Sequence, residues 1–382
     1  MILKQVYLDY SATTPLAPEV NEAMYLWGKS ETGNPSSPHR YGQKIKFQLE
    51  EVRDTIAEFL GCKSKEGVFT SGGTESNNLA LTGVADNYRS QGKHIIISAV
   101  EHPSVLNCAE HLETRGYEIT RIKPDNNGKL NVDDFRNAIR QDTILISAMY
   151  VNNETGVIHP VKEIGALCKE KNIPFHCDVV QAFGKLIFTI DGIQADLISI
   201  SAHKIYGPKG IGTLIIREGT LVSNLFFGGG QEANRRPGTE NMTGIIGFGA
   251  AVNLLKKYNN DYKNTLELRL HFEENLKRVI PEIEIIGEKS ERSPFISCIA
   301  FPGFDNQSLL LNLDMAGIAV SVGSACSSGS IRQSHVLKAM GLPDRIINSA
   351  IRFSFGRLTE KDGMDYTIDQ LNKITKRIQK SN

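Results

Sequence analysis

Short apolar runs alternate with helical patterns between about residue 66 and residue 217 of this chain of 382 residues. Several runs are apolar nearly throughout instead of alternating with polar residues, as is typical of strands buried on both faces of a parallel sheet. The runs are GVFTS (67–71), KHIIISAV (93–100), TILISAMYV (143–151), IPFHCDVV (173–180), ADLISISAH (195–203) and IGTLIIR (211–217). The sequence therefore predicts an α/β fold with a mainly parallel sheet.

The pattern changes after about residue 255, where a long charged helix, short apolar segments and a final amphipathic helix no longer alternate strictly. Such a mixture is typical of an α+β unit. We therefore predict a large α/β domain at residues 13–255. Residues 1–12 and 256–382 are predicted to form a smaller α+β domain.

Charge and composition exclude several classes of partner. Lys plus Arg and Asp plus Glu number 43 each, and no block of like charge occurs, so direct nucleic-acid binding is not expected. The start MILKQVYLDYSATTP lacks the features of a signal peptide, and no apolar run is long enough for a membrane span, so we expect a cytoplasmic protein without a membrane partner. The six cysteines are scattered without a CxxC pair, which argues against disulfides and against a metal site.

Two of the predicted strands lead into unusually polar segments, and open α/β sheets bind ligands at the carboxyl ends of their strands. In FTSGGTESNN, Gly73 and Thr74 begin a helix whose free N–H groups suit an anion, although a plain turn before a helix is also common. In FHCDVVQAFGK, Asp178 ends a buried strand, where a carboxylate is costly unless it has a cation or several donors as partners. The alternative is that Asp178 caps the next segment.

The segment LISISAHKIYGPKGIG places Lys204 at the polar end of an apolar strand. Desolvation there would lower the pKa of the lysine and make its neutral amine available to form an imine. A lone lysine is more often a solvated surface residue. Ser201 and His203 precede Lys204 and a glycine-rich turn follows it, and this combination favours the imine-forming role.

Many segments together resemble pyridoxal-phosphate enzymes of the aspartate-aminotransferase fold, fold type I, in the class V aminotransferase family. Within that family the chain is most similar to cysteine desulfurases of the NifS/IscS type. The matching segments are YLDYSATTP (7–15), NPSSPHRYG (34–42), FTSGGTESNN (69–78), EHPSV (101–105), VNNETG (151–156), HCDVVQAFGK (176–185), SAHKIYGPKG (201–210), GGGQEANRRPGTEN (228–241), GSACSSGS (323–330) and IRFSFGR (351–357).

The resemblance implies a bound pyridoxal 5'-phosphate. Lys204 would hold it covalently and move the proton of the substrate Cα, Asp178 would keep the ring nitrogen protonated, and His102 would stack over the ring. Gln181 and Asn153 would lie at the phenolic oxygen of the ring, with Asn153 also close to the substrate. The phosphate would be held by Gly73, Thr74, Ser201 and His203, and by Thr239 from the partner subunit. A homodimer follows from that last assignment.

The resemblance also implies the substrate and the nucleophile. Arg352 would bind the α-carboxylate of L-cysteine, since a guanidinium pairs with a planar carboxylate through two hydrogen bonds. Cys326 would attack the substrate sulfur as a thiolate, leaving alanine and an enzyme persulfide, and its small neighbours in GSACSSGS favour exposure. The other five cysteines are expected in or near the core.

Several alternatives stay open at this point. The sulfur acceptor would be an iron–sulfur scaffold protein or an enzyme of tRNA thiolation, and selenocysteine is an alternative substrate. Cys326 argues against an ordinary transaminase, which needs no such thiol, and the intact catalytic set argues against a non-catalytic scaffold. Pro237 stands where a serine is common in this family, close to the predicted cross-subunit contact.

Overall fold

The structure is a computed structural model that describes residues 4–257, 261–323 and 333–381. These residues form twelve strands: β1 (Val6–Tyr7), β2 (Gly67–Thr70), β3 (His94–Ser98), β4 (Glu118–Ile122), β5 (Thr143–Ser147), β6 (Phe175–Asp178), β7 (Leu197–Ser201), β8 (Gly212–Ile216), β9 (Glu284–Ile285), β10 (Ile296–Ala300), β11 (Ile318–Ala319) and β12 (Ala350–Ser354).

Helices connect and cover these strands. They span Pro18–Ser30, Arg40–Leu60, Gly73–Asn87, Pro103–Thr114, Val132–Ala138, Val161–Lys171, Ile190–Ile193, Met242–Leu255, Asp261–Val279, Asn306–Met315, His335–Ala339, Asp344–Ile347 and Lys361–Ser381, with single 3₁₀ turns at Ser64–Glu66 and Ala202–Lys204. Within the described ranges, no helix combines the length and the apolar character that a bilayer crossing requires.

A seven-stranded sheet forms the larger part of the molecule, in the order β2-β8-β7-β6-β5-β3-β4. Only β8 runs against its neighbours, so the predicted mainly parallel sheet is confirmed. Each predicted apolar run contains one of these strands. The sequence analysis missed the edge strand β4, in which only the last of five residues is buried and the apolar pattern of the buried strands is absent.

The parallel register brings polar residues to one edge of this sheet. Strands β5, β6 and β7 are parallel neighbours, and Asp178 at the end of β6 lies opposite Ser199 in β7. Strand β7 then ends at Ser201 and passes directly into the 3₁₀ turn that contains Lys204. The side chains that follow these strands therefore meet at a single edge, as expected for ligand sites in open α/β sheets.

A second, smaller sheet has the order β12-β10-β9 and is antiparallel. The pair β1 and β11 adjoins it, since Ser354 N donates to Leu8 O at 2.8 Å. A separate apolar cluster fills this part and includes Leu8 together with residues between Phe272 and Ile374. The division into two domains, with the boundaries given above, stays a prediction.

Phe272 is the central side chain of this smaller cluster. It is fully buried, and its ring lies 5.0 Å from that of Phe353 and 5.7 Å from that of Phe355. Replacing it with alanine should lower the free energy of opening of β10 and β12 by about 3–5 kcal/mol, because the lost contacts leave a cavity. Hydrogen exchange of these strands measures the change. The control Leu311→Ala, at a side chain that is 63% exposed, should change it by less than about 0.5 kcal/mol.

Candidate active site

A cavity of about 450 Å³ opens at the polar edge of the large sheet and reaches the smaller sheet. It brings together ten of the twelve site residues predicted from the sequence: Gly73, Thr74, His102, Asn153, Asp178, Gln181, Ser201, His203, Lys204 and Arg352. A wider depression of about 710 Å³ lies at the opposite, amino-terminal edge of the strands and contains none of them. The smaller cavity is therefore the candidate active site, because it contains the predicted reactive residues.

Lys204 lies at the end of the 3₁₀ turn after β7, and its amine points back toward the amino-terminal segment of the chain. Its Nζ donates to Ser11 O at 2.5 Å and to Ala12 O at 2.7 Å. The backbone just before Lys204 is fixed as well, because Thr14 N donates to His203 O at 3.0 Å. The turn thus holds the lysine amine at the wall of the cavity by hydrogen bonds to main-chain carbonyls.

Asp178 places a buried carboxylate at the end of β6. Its Oδ2 accepts a hydrogen bond from Asn77 Nδ2 at 2.8 Å, and its Oδ1 accepts one from Val180 N at 2.9 Å. A carboxylate has about four acceptor positions, so these donors leave capacity for another. Because the side chain also lines the cavity, a protonated ring nitrogen has room to be the further donor.

His102 caps the helix Pro103–Thr114 and lines the same cavity. Its Nδ1 accepts from Ser104 N at 3.1 Å and lies 2.8 Å from Ser104 Oγ, while Asn77 Nδ2 donates to that hydroxyl at 2.8 Å. This network assigns the neutral ring with its hydrogen on Nε2. Burial lowers the pKa of His102, and the charge of Lys204 lowers it further against the opposing charge of Asp178, so the ring is neutral at pH 7.

The start of the helix Gly73–Asn87 forms an anion cradle. The first turn of a helix leaves N–H groups without partners inside the helix, and here these belong to Gly73 and Thr74. A methyl group added to Gly73 would lie 3.0 Å from Val180 Cγ2, so glycine keeps the backbone close to the cavity.

Ser201 and His203 face this helix start across the same cavity. Burial lowers the pKa of His203 to about 4, and the positive charges of Lys204, Lys209 and Lys185 contribute to the shift. The ring is therefore a neutral hydrogen-bonding group in the absence of an anion. A bound phosphate would favour its protonated form.

Arg352 reaches the cavity from β12 of the smaller sheet. Its Nη1 donates to Asn153 O at 3.0 Å, and its Nη2 pairs with Asp9 Oδ1 at 2.9 Å. Its Nε is buried and has no partner among the described residues. A buried guanidinium nitrogen without an acceptor is costly, so this group has unused capacity for an anionic ligand.

These residues fit pyridoxal phosphate. The cavity offers a carboxylate with spare acceptor capacity at Asp178, a helix start that suits a phosphate at Gly73 and Thr74, and an amine at Lys204. Asn77 Oδ1, also in the wall of the cavity, is buried without a partner among the described residues. The donor set thus matches a ring that carries a nitrogen, an aldehyde carbon and a phosphate.

The other two site residues predicted from the sequence are Cys326 and Thr239. Cys326 lies outside the described residues, whereas Gly323, shortly before it in sequence, lines the cavity. Thr239 is exposed and is absent from the cavity wall of its own chain. The predicted position of the other cysteines is confirmed, since Cys62 is half-buried and Cys108, Cys168, Cys177 and Cys298 are buried.

The sequence analysis did not single out four residues that shape the site, Asp9, Ser11, Asn77 and Lys185. Asn77 supplies a donor to the Asp178 carboxylate, and Ser11 supplies the carbonyl that accepts from Lys204. Each lies inside a segment that carries the family resemblance, YLDYSATTP, FTSGGTESNN or HCDVVQAFGK. The polar character of these residues within the matching segments could have marked them as candidates. Their partners could not be predicted in the same way, because Asn77 and Ser11 contact residues that are distant in sequence.

Comparison with known proteins assigns the chain to a family. The family model for Aminotransferase class-V matches residues 6–367. The Cysteine desulfurase IscS of Dictyoglomus turgidum is 46% identical over 376 residues, which cover 98% of this chain and 95% of the relative. The protein of the same name from Methanosarcina thermophila is 43% identical, covering 98% of this chain and 93% of the relative.

Solved structures agree with this assignment. A NifS-like protein superposes with a TM-score of 0.91 at 32% identity, covering 98% of this chain and 100% of that chain. The structure of SspA in complex with cysteine has a TM-score of 0.82 at 34% identity, covering 92% of this chain and 99% of that chain. These superpositions confirm the predicted fold type I. Since both the family match and the relatives span nearly the whole sequence, the chain belongs to the aminotransferase class-V family, in its group of cysteine desulfurases.

Proposed function

We propose that this protein is a pyridoxal-phosphate-dependent cysteine desulfurase, which removes sulfur from L-cysteine and leaves L-alanine and a persulfide on Cys326. The observation that carries the proposal is the single cavity in which Lys204, Asp178, His102 and Arg352 meet. They come from four separate segments of the chain. No one of them alone would distinguish this activity from ordinary surface or capping roles.

The residues that hold the cofactor follow from the donors and acceptors of the cavity. Asp178 would accept the hydrogen of the ring nitrogen, and Gly73, Thr74, Ser201 and His203, which line the same cavity, would hold the phosphate. Lys204 would hold the cofactor through its amine. When bound, pyridoxal phosphate supplies a conjugated ring that accepts the electron pair left on the substrate Cα after proton removal.

The chain's own groups bind the substrate and move its proton. Arg352 binds the α-carboxylate through its guanidinium, with the unpartnered Nε among the available donors. Asn153 lies beside it in the cavity wall. The amine of Lys204, at the wall of the cavity, would remove the proton from the substrate Cα as a general base. His102, neutral because of its burial, assists that proton transfer.

Sulfur transfer requires the thiolate of Cys326. Its Sγ attacks the sulfur of the substrate, so an S–S bond forms while the bond between substrate Cβ and sulfur breaks. The electron pair of the broken bond stays with the carbon, which takes up a proton to give alanine. The sum is L-cysteine plus the Cys326 thiol giving L-alanine plus the Cys326 persulfide.

The position of Cys326 in the chain supports this role. Cys326 follows Gly323, which lies in the cavity wall, by three positions, and covalent geometry limits the distance between their Cα atoms to about 11 Å. The other cysteines are poor nucleophiles by comparison. Burial raises the pKa of Cys62 and of Cys298 to about 12, and it also raises the pKa of Cys108, Cys168 and Cys177.

The Cys326→Ser variant tests the proposed function. The variant should bind pyridoxal phosphate with an unchanged visible spectrum but release at least about 100-fold less alanine and sulfide from cysteine, because a hydroxyl does not replace a thiolate in this attack. Mass spectrometry of wild-type protein after exposure to cysteine should find one added sulfur on the peptide that contains Cys326. Cys62→Ser, at the half-buried cysteine, is the control and should behave as wild type. Alanine formation without added sulfur on that peptide would exclude Cys326 as the nucleophile.

The role of Arg352 is tested by Arg352→Lys. Lysine keeps the charge but loses the paired donors, so KM for cysteine should rise about 10- to 100-fold, corresponding to a few kcal/mol of lost substrate binding. The spectrum of the cofactor-loaded variant should not change. Arg345→Lys, at an exposed arginine whose closest carboxylate is 3.8 Å away, is the matched control. An unchanged KM for Arg352→Lys would place the substrate carboxylate elsewhere.

We further propose that the protein acts as a homodimer in which Thr239 completes the phosphate site of the partner. Large apolar side chains are exposed on the helices Pro18–Ser30 and Arg40–Leu60 and in the segment before Thr239; they are Tyr25, Leu26, Tyr41, Phe47, Phe226 and Phe227. Exposed apolar groups of this size mark interaction surfaces. A second copy is the partner that would bring an exposed Thr239 into a cavity.

Contacts within the chain hold the segment around Thr239 in place. Glu232, Ala233 and Asn234 have left-handed φ angles of 49, 53 and 63°, which are unfavourable for residues other than glycine. Arg53 offsets the cost of this backbone conformation, since its Nη1 and Nη2 donate to the Glu232 carboxylate at 2.7 and 2.9 Å. Pro237 packs against Gly228, and Gly238 N donates to Gln231 Oε1 at 3.1 Å. Thr239 is thus presented by a fixed turn that accommodates Pro237.

Complementation between two inactive variants tests the cross-subunit role. Thr239→Glu places a carboxylate beside the phosphate, and Lys204→Ala removes the reactive amine, so each homodimer should be inactive. After joint refolding, a mixed dimer contains one site with both native residues, and about one quarter of wild-type activity should return if half of the dimers are mixed. No return of activity, with mixed dimers shown by native mass spectrometry, would assign Thr239 to its own subunit.

The acceptor of the persulfide sulfur is the remaining part of the proposal. We propose a protein acceptor, either an iron–sulfur scaffold or an enzyme of tRNA thiolation, because a persulfide on the enzyme must pass its terminal sulfur to another nucleophile. The cytoplasmic location expected from the sequence likewise stays a proposal.

A further inference from the structure

Lys185 is a lysine close to the active site that the chemistry above does not use. It follows the cavity residue Gln181 by four positions, in the irregular turn after β6, and it is half-buried. It does not line the cavity itself. Its side chain therefore lies behind Gln181 as seen from the cavity, in a second layer of the site.

The direct polar contact of Lys185 is with Gln181. Its Nζ donates to Gln181 Oε1 at 2.8 Å, so its hydrogen bond goes to an amide oxygen and not to a carboxylate. The ring of Phe295 lies 5.8 Å from Nζ on another side. A lysine amine that meets an amide oxygen and an aromatic ring is held by its surroundings in one place.

This contact determines which way the Gln181 amide faces. An ammonium group only donates, so the atom of Gln181 that meets Lys185 must be the oxygen. The amide nitrogen is then directed to the other side, where Gln181 Nε2 donates to Ser11 O at 2.9 Å. Lys204 Nζ donates to that same carbonyl at 2.5 Å. A continuous chain of hydrogen bonds thus joins Lys185 to Lys204 through Gln181 and Ser11.

We propose that Lys185 is a positioning residue of the desulfurase site, which acts through Gln181 by fixing the donor end of its amide toward the cavity and by polarising that amide with a positive charge. The proposal rests on the function proposed above, since it assumes that Gln181 faces the phenolic oxygen of the bound cofactor. Hydrogen bonds that follow one another in a chain strengthen each other, so a cation at the far end makes Gln181 a stronger donor.

The charges around Lys185 indicate when it carries its proton. Burial lowers the pKa of Lys185 to about 7, and the positive charges of Lys204 and Arg352 add to the effect. Lys185 in turn lowers the pKa of His203. Once the amine of Lys204 is bonded to the cofactor and a phosphate is present, less positive charge opposes Lys185, so its pKa rises and the loaded site keeps the ammonium form.

The test compares cofactor-loaded proteins by spectrum and by kinetics. In Lys185→Met, the pH at which the visible absorption changes should rise by about 0.5–1 unit, because removal of a nearby cation favours protonation in the site. Its kcat should fall about fivefold or more, with KM for cysteine within about twofold of wild type. Lys185→Arg keeps a charged donor and should restore both values to near wild type. Lys171→Met, at an exposed lysine, is the matched control.

A double variant separates positioning from a general loss of structure. If Lys185 acts through Gln181, then Lys185→Met in a Gln181→Leu background should shift the spectrum by less than half as much as it does alone, as interacting pairs do. Full additivity, or a Lys185→Met spectrum identical to wild type across pH, would overturn the proposal. If Lys185→Met does not load the cofactor, Lys185→Gln, which keeps a donor without the charge, is used in its place and should also raise the pH of the change.

The same experiment distinguishes failure of this proposal from failure of the proposed function. Wild-type protein that binds pyridoxal phosphate but forms no alanine from cysteine would contradict the function, whatever the variants do. Wild-type protein that forms alanine while Lys185→Met matches it in spectrum and in kcat would contradict only the role of Lys185.

Discussion

The buried carboxylate of Asp178 is the constraint around which the polar edge of the large sheet is arranged. Placing such a charge at the end of a central strand costs several kcal/mol unless donors surround it. Asn77 from the neighbouring helix and the amide of Val180 supply two donors. Asn77 also donates to Ser104, which contacts His102. Satisfying the carboxylate therefore orients the histidine above the same cavity.

Much of the fold was predictable because the large sheet is buried on both faces. Strands such as β5 and β7 have every residue buried, so their sequences consist of Ile and Leu with only small hydroxyl residues between or beside them, and they are easily recognised. The edge strand β4 has only one fully buried residue, and its mixed sequence gave no comparable pattern. The helices Pro18–Ser30 and Arg40–Leu60 were also missed, although both carry apolar residues at helical spacing. Periodicity thus identified the centre of the domain better than its periphery.

The site was predictable in its reactive groups but not in their supports. Lys204 and Asp178 stand out because an ionisable side chain at the end of an apolar strand demands an explanation. Ser11 does not stand out, and yet its carbonyl accepts from both Lys204 and Gln181. The sequence also gives no sign of the bond made by its amide: Ser11 N donates to Ser354 Oγ at 2.8 Å, and the two residues are separated by most of the length of the chain. Contacts of this separation depend on the packing of the two sheets and leave no local pattern in the sequence.

The charged side chains in the wall of the cavity balance one another, so the two anionic groups of the proposed cofactor and substrate would depend on directed hydrogen bonds. Lys204 and Arg352 contribute cationic groups to its wall, and the carboxylates there are Asp178 and Asp9. Glu101, next to His102 in sequence, adds no further negative charge, because burial and the nearby Asp178 raise its pKa well above the usual range. Arg352 is already paired to Asp9, so a substrate carboxylate that bound as proposed would share the guanidinium with Asp9 or displace it. Binding through such an exchange would be weaker than binding to an unpaired arginine, and it would permit a product carboxylate to leave after each turnover.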